Sequence, residues 1–310
     1  MIKALALALA IAVLPGAAIA QEGSGAIGWI RGVLGEAASA NSCSAHAAAA
    51  RGTLERLGNL ELPSSGRVLV VNIPSGVVTA YEDGVPVIES RAVVGKPTTP
   101  TPELDTHVTF VRPNPTWTVP ESILKAKRWR EKLADDPFFF EENGFDVVVD
   151  GQTLSPDEAA PYAASASAFV QRPGPINALG LLKIGLSNSD GVYLHDTNDP
   201  GRFESEVRAA SAGCVRMERV RDIGAWVLDV SPSEMDAMID GGDVENHEPP
   251  EPVKVIIGYW TAWPDASGRL RYYPDIYGLD GGSRCSSGRD DGGYADEGPA
   301  DPVWTEYEAR

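Results

Sequence analysis

The chain has 310 residues, of which 43% are hydrophobic, and its formal net charge at pH 7 is −18. This length is enough for one well-packed core with an elaboration, and the acidic excess makes nucleic acid and anionic membranes poor candidate partners. The histidines are scattered, no CxxC pair or HExxH motif is found, and no glycine-rich phosphate loop precedes a predicted helix. The sequence therefore predicts neither a metal site nor a cofactor.

The first twenty residues have the pattern of a secretory signal. Lys3 supplies the positive start, residues 4–14 the apolar core, and Ala18-Ile19-Ala20 a small-x-small cleavage site. The apolar run is too short to favour a permanent membrane span. We therefore predict that residues 1–20 are a signal peptide and that the protein is exported.

The cysteine count is informative in an exported protein. Three cysteines are present, Cys43, Cys214 and Cys285, and an odd count in an oxidising compartment leaves one thiol unpaired. A disulfide between Cys43 and Cys285 would leave Cys214 free. The alternative, in which Cys43 and Cys285 are unpaired surface thiols, remains open because sequence does not give their distance.

An N-terminal helical segment is predicted at residues 21–64, where the runs 26–40 and 45–60 are rich in good helix formers. From residue 67 onward, short apolar runs separated by glycine and proline predict strands instead. Strands of this kind favour a mostly antiparallel β-sandwich, so the predicted fold is mainly β with α insertions. The strand runs are residues 68–73, 77–81, 85–94, 106–111, 181–186, 192–195, 253–260 and 269–273.

The β pattern is interrupted between residues 120 and 172. Charged and alanine-rich runs there predict helices, including one at 155–169 that begins with a capping serine. We interpret 120–172 as a helical lid inserted in the sheet domain. Residues 276–310 are acidic and rich in glycine, and are predicted to form a loosely ordered tail.

The strongest functional signal is the run from Ser211 to Arg216, Ser-Ala-Gly-Cys-Val-Arg, read together with His195. Fifteen residues separate His195 from Ser211, which allows a strand, a surface loop and a return along a neighbouring strand. Cys214 and His195 would then face each other as nucleophile and general base. The alternatives are a buried structural cysteine, the commoner fate of a free cysteine, and a core histidine. The glycine before Cys214 and the odd cysteine count favour the catalytic interpretation.

Other residues near the motif are candidates for supporting roles. The backbone N–H groups of Gly213 and Cys214 are the predicted oxyanion hole. Asp196 follows His195 directly, and adjacent strand residues point to opposite faces, so its side chain is interpreted as a loop anchor.

Four residues are predicted to bind substrate: Arg216, Ser211, Tyr193 and Trp117. Arg216 could hold a carboxylate through its planar fork, although a structural salt bridge is an equally supported role. The aromatic residues could shape a cleft, but such residues more often belong to a core.

The motif resembles the L,D-transpeptidase catalytic domain of the YkuD type, whose signature is a histidine, a spacer and Ser/Thr-His-Gly-Cys. The resemblance covers about residues 60–280, and other runs look like landmarks of the YcbB-like branch of that family. One departure is Ala212, at a position that is often histidine, where some polar support of the site is missing. The landmark runs are Val71-Asn72-Ile73-Pro74, Val94-Gly95-Lys96-Pro97, Thr101-Pro102, Asn114-Pro115-Thr116-Trp117-Thr118-Val119-Pro120, Gln171-Arg172-Pro173-Gly174-Pro175, Asn177-Ala178-Leu179-Gly180, Tyr259-Trp260-Thr261-Ala262-Trp263 and Asp275-Ile276-Tyr277-Gly278.

The resemblance implies a catalytic domain over residues 65–275, a β-sandwich with a helical capping subdomain, and a periplasmic location. It also implies an L,D-transpeptidase that forms 3→3 peptidoglycan cross-links through a Cys214 thioester with His195 as base. Its partners would be tetrapeptide stems, and an amine-bearing wall-attached protein could replace the acceptor stem. If water resolved the thioester, the activity would be that of an L,D-carboxypeptidase or endopeptidase. A non-catalytic peptidoglycan-binding module is a further alternative, with Ala212 as its support.

Overall fold

The structure is a computed structural model that describes residues 26–40, 44–58, 60, 62–265 and 268–280. The predicted signal peptide, Cys43, Cys285 and the tail beyond residue 280 lie outside the described residues. Within the described part of the chain, no helix has both the length and the apolar character that a membrane crossing requires.

Strands make up most of the regular structure, and helices are concentrated near the N-terminus, in the middle and after the motif. The strands are β1 (Arg67–Asn72), β2 (Val77–Glu82), β3 (Val85–Gly95), β4 (Leu104–Pro113), β5 (Trp117–Thr118), β6 (Phe145–Val149), β7 (Gln152–Leu154), β8 (Ala166–Gln171), β9 (Leu182–Leu186), β10 (Tyr193–His195), β11 (Ala209–Ser211), β12 (Val215–Met217), β13 (Val253–Gly258), β14 (Ala262–Pro264) and β15 (Leu270–Tyr272). The helices are α1 (Ala26–Ala40), α2 (Ala45–Leu57), α3 (Glu121–Ala126), α4 (Trp129–Asp135), α5 (Pro137–Glu142), α6 (Pro156–Ala159), α7 (Val220–Leu228) and α8 (Pro232–Asp240), with 3₁₀ turns at Ala160–Ser165 and Pro200–Glu204.

The main sheet closes on itself. Its strand order is β11-β3-β12-β10-β9-β4-β13-β1-β2, and β2 also pairs with β3. Closure is possible because β3 is long: its first part pairs with β2, and its second part pairs with β12. The mainly-β architecture with α insertions is confirmed, but the sandwich prediction is wrong, since one closed sheet takes the place of two layers. The alternation of inward and outward residues identifies the buried face of each strand, but it does not specify which strands pair to close the sheet.

The inside of this ring is the main hydrophobic core. Every second residue of the strands points inward, including Leu69, Val71, Leu194 and Val215, all fully buried. Helices α7 and α8 contribute to the same cluster. Because these strand residues point inward, the alternate residues of each strand lie on the outer face of the ring, and the functional side chains are among them.

Helices α1 and α2 cover part of the outside of the ring. Val68 and Val70 of β1 point outward and share a hydrophobic cluster with Leu34 of α1 and Leu57 of α2. Helix α2 is capped at its N-terminus by Ser44, whose hydroxyl accepts a hydrogen bond of 3.0 Å from the Ala47 N–H.

The inserted segment, residues 120–172, has its own core but is not entirely helical. Its strands β6, β7 and β8 form a sheet with β5, and helices α3 to α6 pack around it. The helix predicted at 155–169 is replaced by α6, a 3₁₀ turn and strand β8. Pairing of β8 with β6 and β5 overrides the helix propensity of its alanines.

Candidate active site

The register of two parallel strands brings the motif residues together. Strand β10 pairs with β12, so that Leu194 lies opposite Val215 and His195 opposite Arg216. Because Leu194 and Val215 point into the core, His195 and Arg216 point to the outer face of the ring. Cys214 immediately precedes β12 and, by the same register, lies beside the position of Tyr193.

Cys214 is half-buried. Its thiol is 3.9 Å from the carbonyl oxygen of Gly191. Burial raises the pKa of the Cys214 thiol, while the backbone N–H and the hydroxyl of Tyr193, together with the Lys183 and Arg216 cations, act in the opposite direction. The resting thiol is therefore protonated at neutral pH, and a base has to remove its proton before attack.

His195 is buried, with 5% of its surface exposed. Burial lowers the pKa of His195 to about 3; the Arg216 and Lys183 cations add to this, and the backbone of Asp196 opposes it. The Asp196 backbone lies near the ring without forming a well-aligned hydrogen bond, since Nδ1 has no hydrogen-bond partner within the described residues. The imidazole is therefore neutral at pH 7, which is the state required of a general base.

A row of cationic side chains crosses the outer face beside His195. Lys183 of β9 is in register with His195 of β10 on one side and with Arg112 of β4 on the other. The Lys183 ammonium lies 3.9 Å from the centroid of the Tyr193 ring. Burial lowers the pKa of Lys183, and the nearby Cys214 opposes that shift. This surface is suited to a ligand with carboxylate groups.

Lys183 did not emerge from the sequence as a site residue. The available signal was a single lysine in the apolar strand run 181–186, at the position between the inward-facing Leu182 and Ile184. Its proximity to Cys214 depends on the pairing of β9 with β10, which the sequence did not specify.

The loop that carries Cys214 is held by hydroxyl groups. Gly213 has a φ of +119°, a conformation that favours glycine, and its N–H donates a 3.1 Å hydrogen bond to Ser211 Oγ. The Ser211 hydroxyl in turn donates to the carbonyl of Cys214. Thr101 Oγ1 donates to the carbonyl of Gly213 at 2.7 Å and accepts from the N–H of Gly95 at 2.8 Å. The backbone on both sides of the thiol is thereby fixed.

The hydrogen bonds of this loop affect the predicted oxyanion hole and the predicted role of Ser211. Because the N–H of Gly213 is bonded to Ser211, only the N–H of Cys214 remains of the two predicted oxyanion donors in this conformation. Ser211 is buried and fastens the loop. Ala212 points to solvent, so its side chain makes no contribution to the packing of the motif.

Trp117 and Tyr193 join the inserted segment to the site. Trp117 is buried in the core of the inserted segment, against which Tyr193 also packs. The side chains of Trp117 and Tyr193 are hydrogen-bonded, and burial, more than the neighbouring Cys214, raises the pKa of Tyr193. The inserted segment therefore lies against the residue that contacts the thiol.

Asp196 has the role predicted for it. Its carboxylate accepts a 2.9 Å hydrogen bond from the N–H of Leu181 and thus anchors a loop. Within the described residues, no group of three or more histidine, cysteine, aspartate or glutamate side chains is arranged to hold a metal ion.

The sequence of this chain is similar to known protein sequences. A family model for the L,D-transpeptidase catalytic domain, YkuD, matches residues 66–257. A Haemophilus influenzae protein named "Putative L,D-transpeptidase" is 29% identical over 231 residues, covering 71% of this chain and 46% of the relative. The chain thus spans about half the length of that relative.

Solved structures give a weaker likeness. L,D-transpeptidase 1 of Mycobacterium tuberculosis has 14% sequence identity and a TM-score of 0.26, covering 61% of this chain and 60% of that one. An L,D-transpeptidase from Mycobacterium smegmatis has 16% identity and a TM-score of 0.30, with 61% and 58% of the two chains covered.

Proposed function

Because the chain belongs to the YkuD family of L,D-transpeptidase catalytic domains, we propose that it is a periplasmic enzyme that forms 3→3 peptidoglycan cross-links through a Cys214 thioester. The observation that best supports this is the outer-face register of Cys214 and His195, with Lys183 and Arg216 beside them. Nucleophile, base and anion-binding groups then converge on one surface.

In the first half-reaction, His195 takes the proton of the Cys214 thiol and the sulfur attacks the carbonyl carbon of the third residue of a tetrapeptide stem. The bond to the terminal D-alanine breaks, and the proton held by His195 passes to the leaving amine. The product is a thioester between Cys214 and the stem. No ATP is required, because the donor peptide bond provides the driving force.

Substrate binding would raise the low pKa of His195. Its pKa of about 3 reflects burial and two nearby cations. A stem peptide carries carboxylates, and one placed on Lys183 and Arg216 would offset their positive potential. The pKa of His195 would then rise toward the range in which it accepts a thiol proton.

The tetrahedral intermediate needs donors for its oxyanion. The N–H of Cys214 is the first candidate, and the Tyr193 hydroxyl, which already contacts the sulfur, is within reach of the same region. The N–H of Gly213 would join them only after leaving Ser211.

In the second half-reaction, the side-chain amine of another stem attacks the thioester carbon and Cys214 leaves. A wall-attached protein amine would react in the same way, and water would instead give the carboxypeptidase or endopeptidase activity. Tyr193 packs against the core of the inserted segment and against Trp117, and this packing favours transpeptidation because it reduces the access of water to the sulfur. The non-catalytic module has little support, because Ala212 points to solvent and the loop is fastened without it.

Acylation by a carbapenem tests whether the thiol is active. The intact protein should gain the mass of one carbapenem, and peptide mapping should locate the adduct on Cys214. Cys214→Ser should show no adduct, and His195→Ala should react far more slowly at neutral pH, by roughly 10²-fold or more. Normal melting curves for both variants are the control for folding. A folded wild-type protein that forms no adduct, or forms one elsewhere, would contradict the proposal.

A further inference from the structure

A cavity of about 470 Å³ lies outside the ring on strands other than those that carry Cys214 and His195. Its floor is the outward face of β1, β2 and β3. Helix α1 forms one wall, and the segment around β14 and β15 forms the other. This volume is in the range of sites that bind small molecules or one part of a polymer.

Four aromatic side chains, Trp29, Tyr81, Trp263 and Tyr273, line this cavity. Trp29 lies on the helix wall and is 37% exposed, although tryptophan is usually well buried. Val87, also part of the lining, is 47% exposed. The cavity thus presents flat apolar surfaces to solvent, which mark a ligand site more often than a simple gap in packing.

The floor contains a buried amide donor that has no partner. Asn72 is 3% exposed, and its Oδ1 accepts a 3.1 Å hydrogen bond from the Trp260 N–H. Its Nδ2 has no hydrogen-bond partner within the described part of the chain, yet Asn72 lines the cavity. Because unpaired buried donors are rare and costly, this group calls for an acceptor supplied from within the cavity.

Hydroxyl and carboxylate groups also line the cavity. Burial and the nearby Glu89 carboxylate raise the pKa of Tyr81 to about 12, and burial, followed by the Asp265 and Glu89 carboxylates, raises the pKa of Tyr273. Glu89 lines the cavity together with both tyrosines. The second carboxylate of the lining, Asp265, is already paired with Arg271 at 2.7 Å.

The charge of the lining restricts the ligand. Among the described residues that line the cavity there is no lysine or arginine, so the lining offers an anion no cationic side chain. A simple cation would satisfy Glu89 but would offer no acceptor to Asn72. A ligand that fits has an apolar face for the aromatic rings, a hydrogen-bond donor for Glu89 and an acceptor for Asn72. A pyranose ring has all three, because its C–H face is apolar and its hydroxyls both donate and accept.

We propose that this cavity is a glycan-binding site that holds a sugar ring of a polysaccharide chain. The ring stacks on Trp29, its hydroxyl oxygen accepts from Asn72 Nδ2, and a hydroxyl donates to Glu89. If the proposed function holds, the site keeps the enzyme on the glycan strand whose stems react at Cys214. The binding itself does not depend on that reaction.

Titration of the full chain with chitotetraose, a soluble β-1,4-linked oligomer of N-acetylglucosamine, tests this proposal. Calorimetry should show saturable binding, and Trp29→Ala should weaken it by roughly tenfold or more, since the stacking surface is lost. Glu89→Gln should also weaken it. Tyr272→Ala is the matched control, because Tyr272 is likewise 37% exposed but does not line the cavity, and its removal should leave the affinity unchanged.

Two further titrations separate the possible results. Cellotetraose, which lacks the acetamido groups, should bind if the site recognises the sugar ring itself, and tetramethylammonium should not bind. Cys214→Ser should bind chitotetraose like the wild type, so loss of transpeptidation and loss of glycan binding are distinguishable. The proposal is overturned if neither oligosaccharide binds, if tetramethylammonium binds instead, or if binding is equal in wild type and Trp29→Ala.

Discussion

The burial of His195 as a neutral base predicts a specific loss of stability in acid. Its pKa falls from an ordinary value of 6.5 to about 3 in the folded protein, because the ring is buried and lies beside Arg216 and Lys183. The unfolded chain therefore takes up this proton before the folded protein does. The stability contributed by the neutral ring is fully present above pH 6.5 and is lost as the pH falls from there toward 3.

The size of this effect follows from the shift. Each pH unit within the window costs about 1.4 kcal/mol of unfolding free energy, so lowering the pH from 7 to 5 should cost about 2 kcal/mol from His195 alone. His195→Gln removes this contribution, because glutamine is neutral throughout. The wild-type protein should therefore lose about 2 kcal/mol more stability than the variant over this interval.

Urea unfolding of both proteins at pH 7, 6 and 5 measures the difference. Other titrating groups are present in both proteins, so their contributions cancel when the two pH dependences are subtracted. Equal m-values would confirm that both proteins unfold in the same way. Parallel pH dependences would refute the assignment of His195 as a buried neutral base between two cations.

Three further changes probe the surroundings of the thiol. Thr101→Val should cost about 1–3 kcal/mol in urea unfolding and slow Cys214 acylation, since the Gly213 carbonyl loses its donor; unchanged stability and rate would count against this anchor. Lys183→Met should move the pH profile of Cys214 alkylation by iodoacetamide to higher pH, because a cation that lowers the thiol pKa is removed; an unmoved profile would argue against their proximity. Tyr193→Phe should shift the same profile in the same direction through loss of the hydroxyl, and a shift to lower pH would be inconsistent with donation to the sulfur.

The sequence predicted the strand that carries His195, because residues 192–195 are a short apolar run that follows a glycine. It also predicted the loop-anchoring role of Asp196, since alternation along a strand is a local property. The closed ring could not be predicted in this way. Closure depends on β3 continuing beyond its hairpin partner β2 to pair with β12, and that second pairing joins residues distant in sequence.

The same limit explains why Lys183 was missed and β8 was predicted as helix. Lys183 acquires its role only when β9 lies next to β10. The alanines of 166–171 favour a helix in isolation, but burial of Ala166 and Phe169 against the neighbouring strands makes that segment a strand. Both errors arise from strand pairing, which local sequence patterns do not determine.

Incubation of the protein with purified disaccharide-tetrapeptide, followed by mass spectrometry, tests the central claim most directly. We predict release of the terminal D-alanine and formation of a 3→3 linked dimer, with neither product from Cys214→Ser. Hydrolysed tripeptide without dimer would identify water as the acceptor and retain the Cys214 thioester. Unchanged tetrapeptide with folded wild-type protein, or equal turnover by Cys214→Ser, would contradict the account.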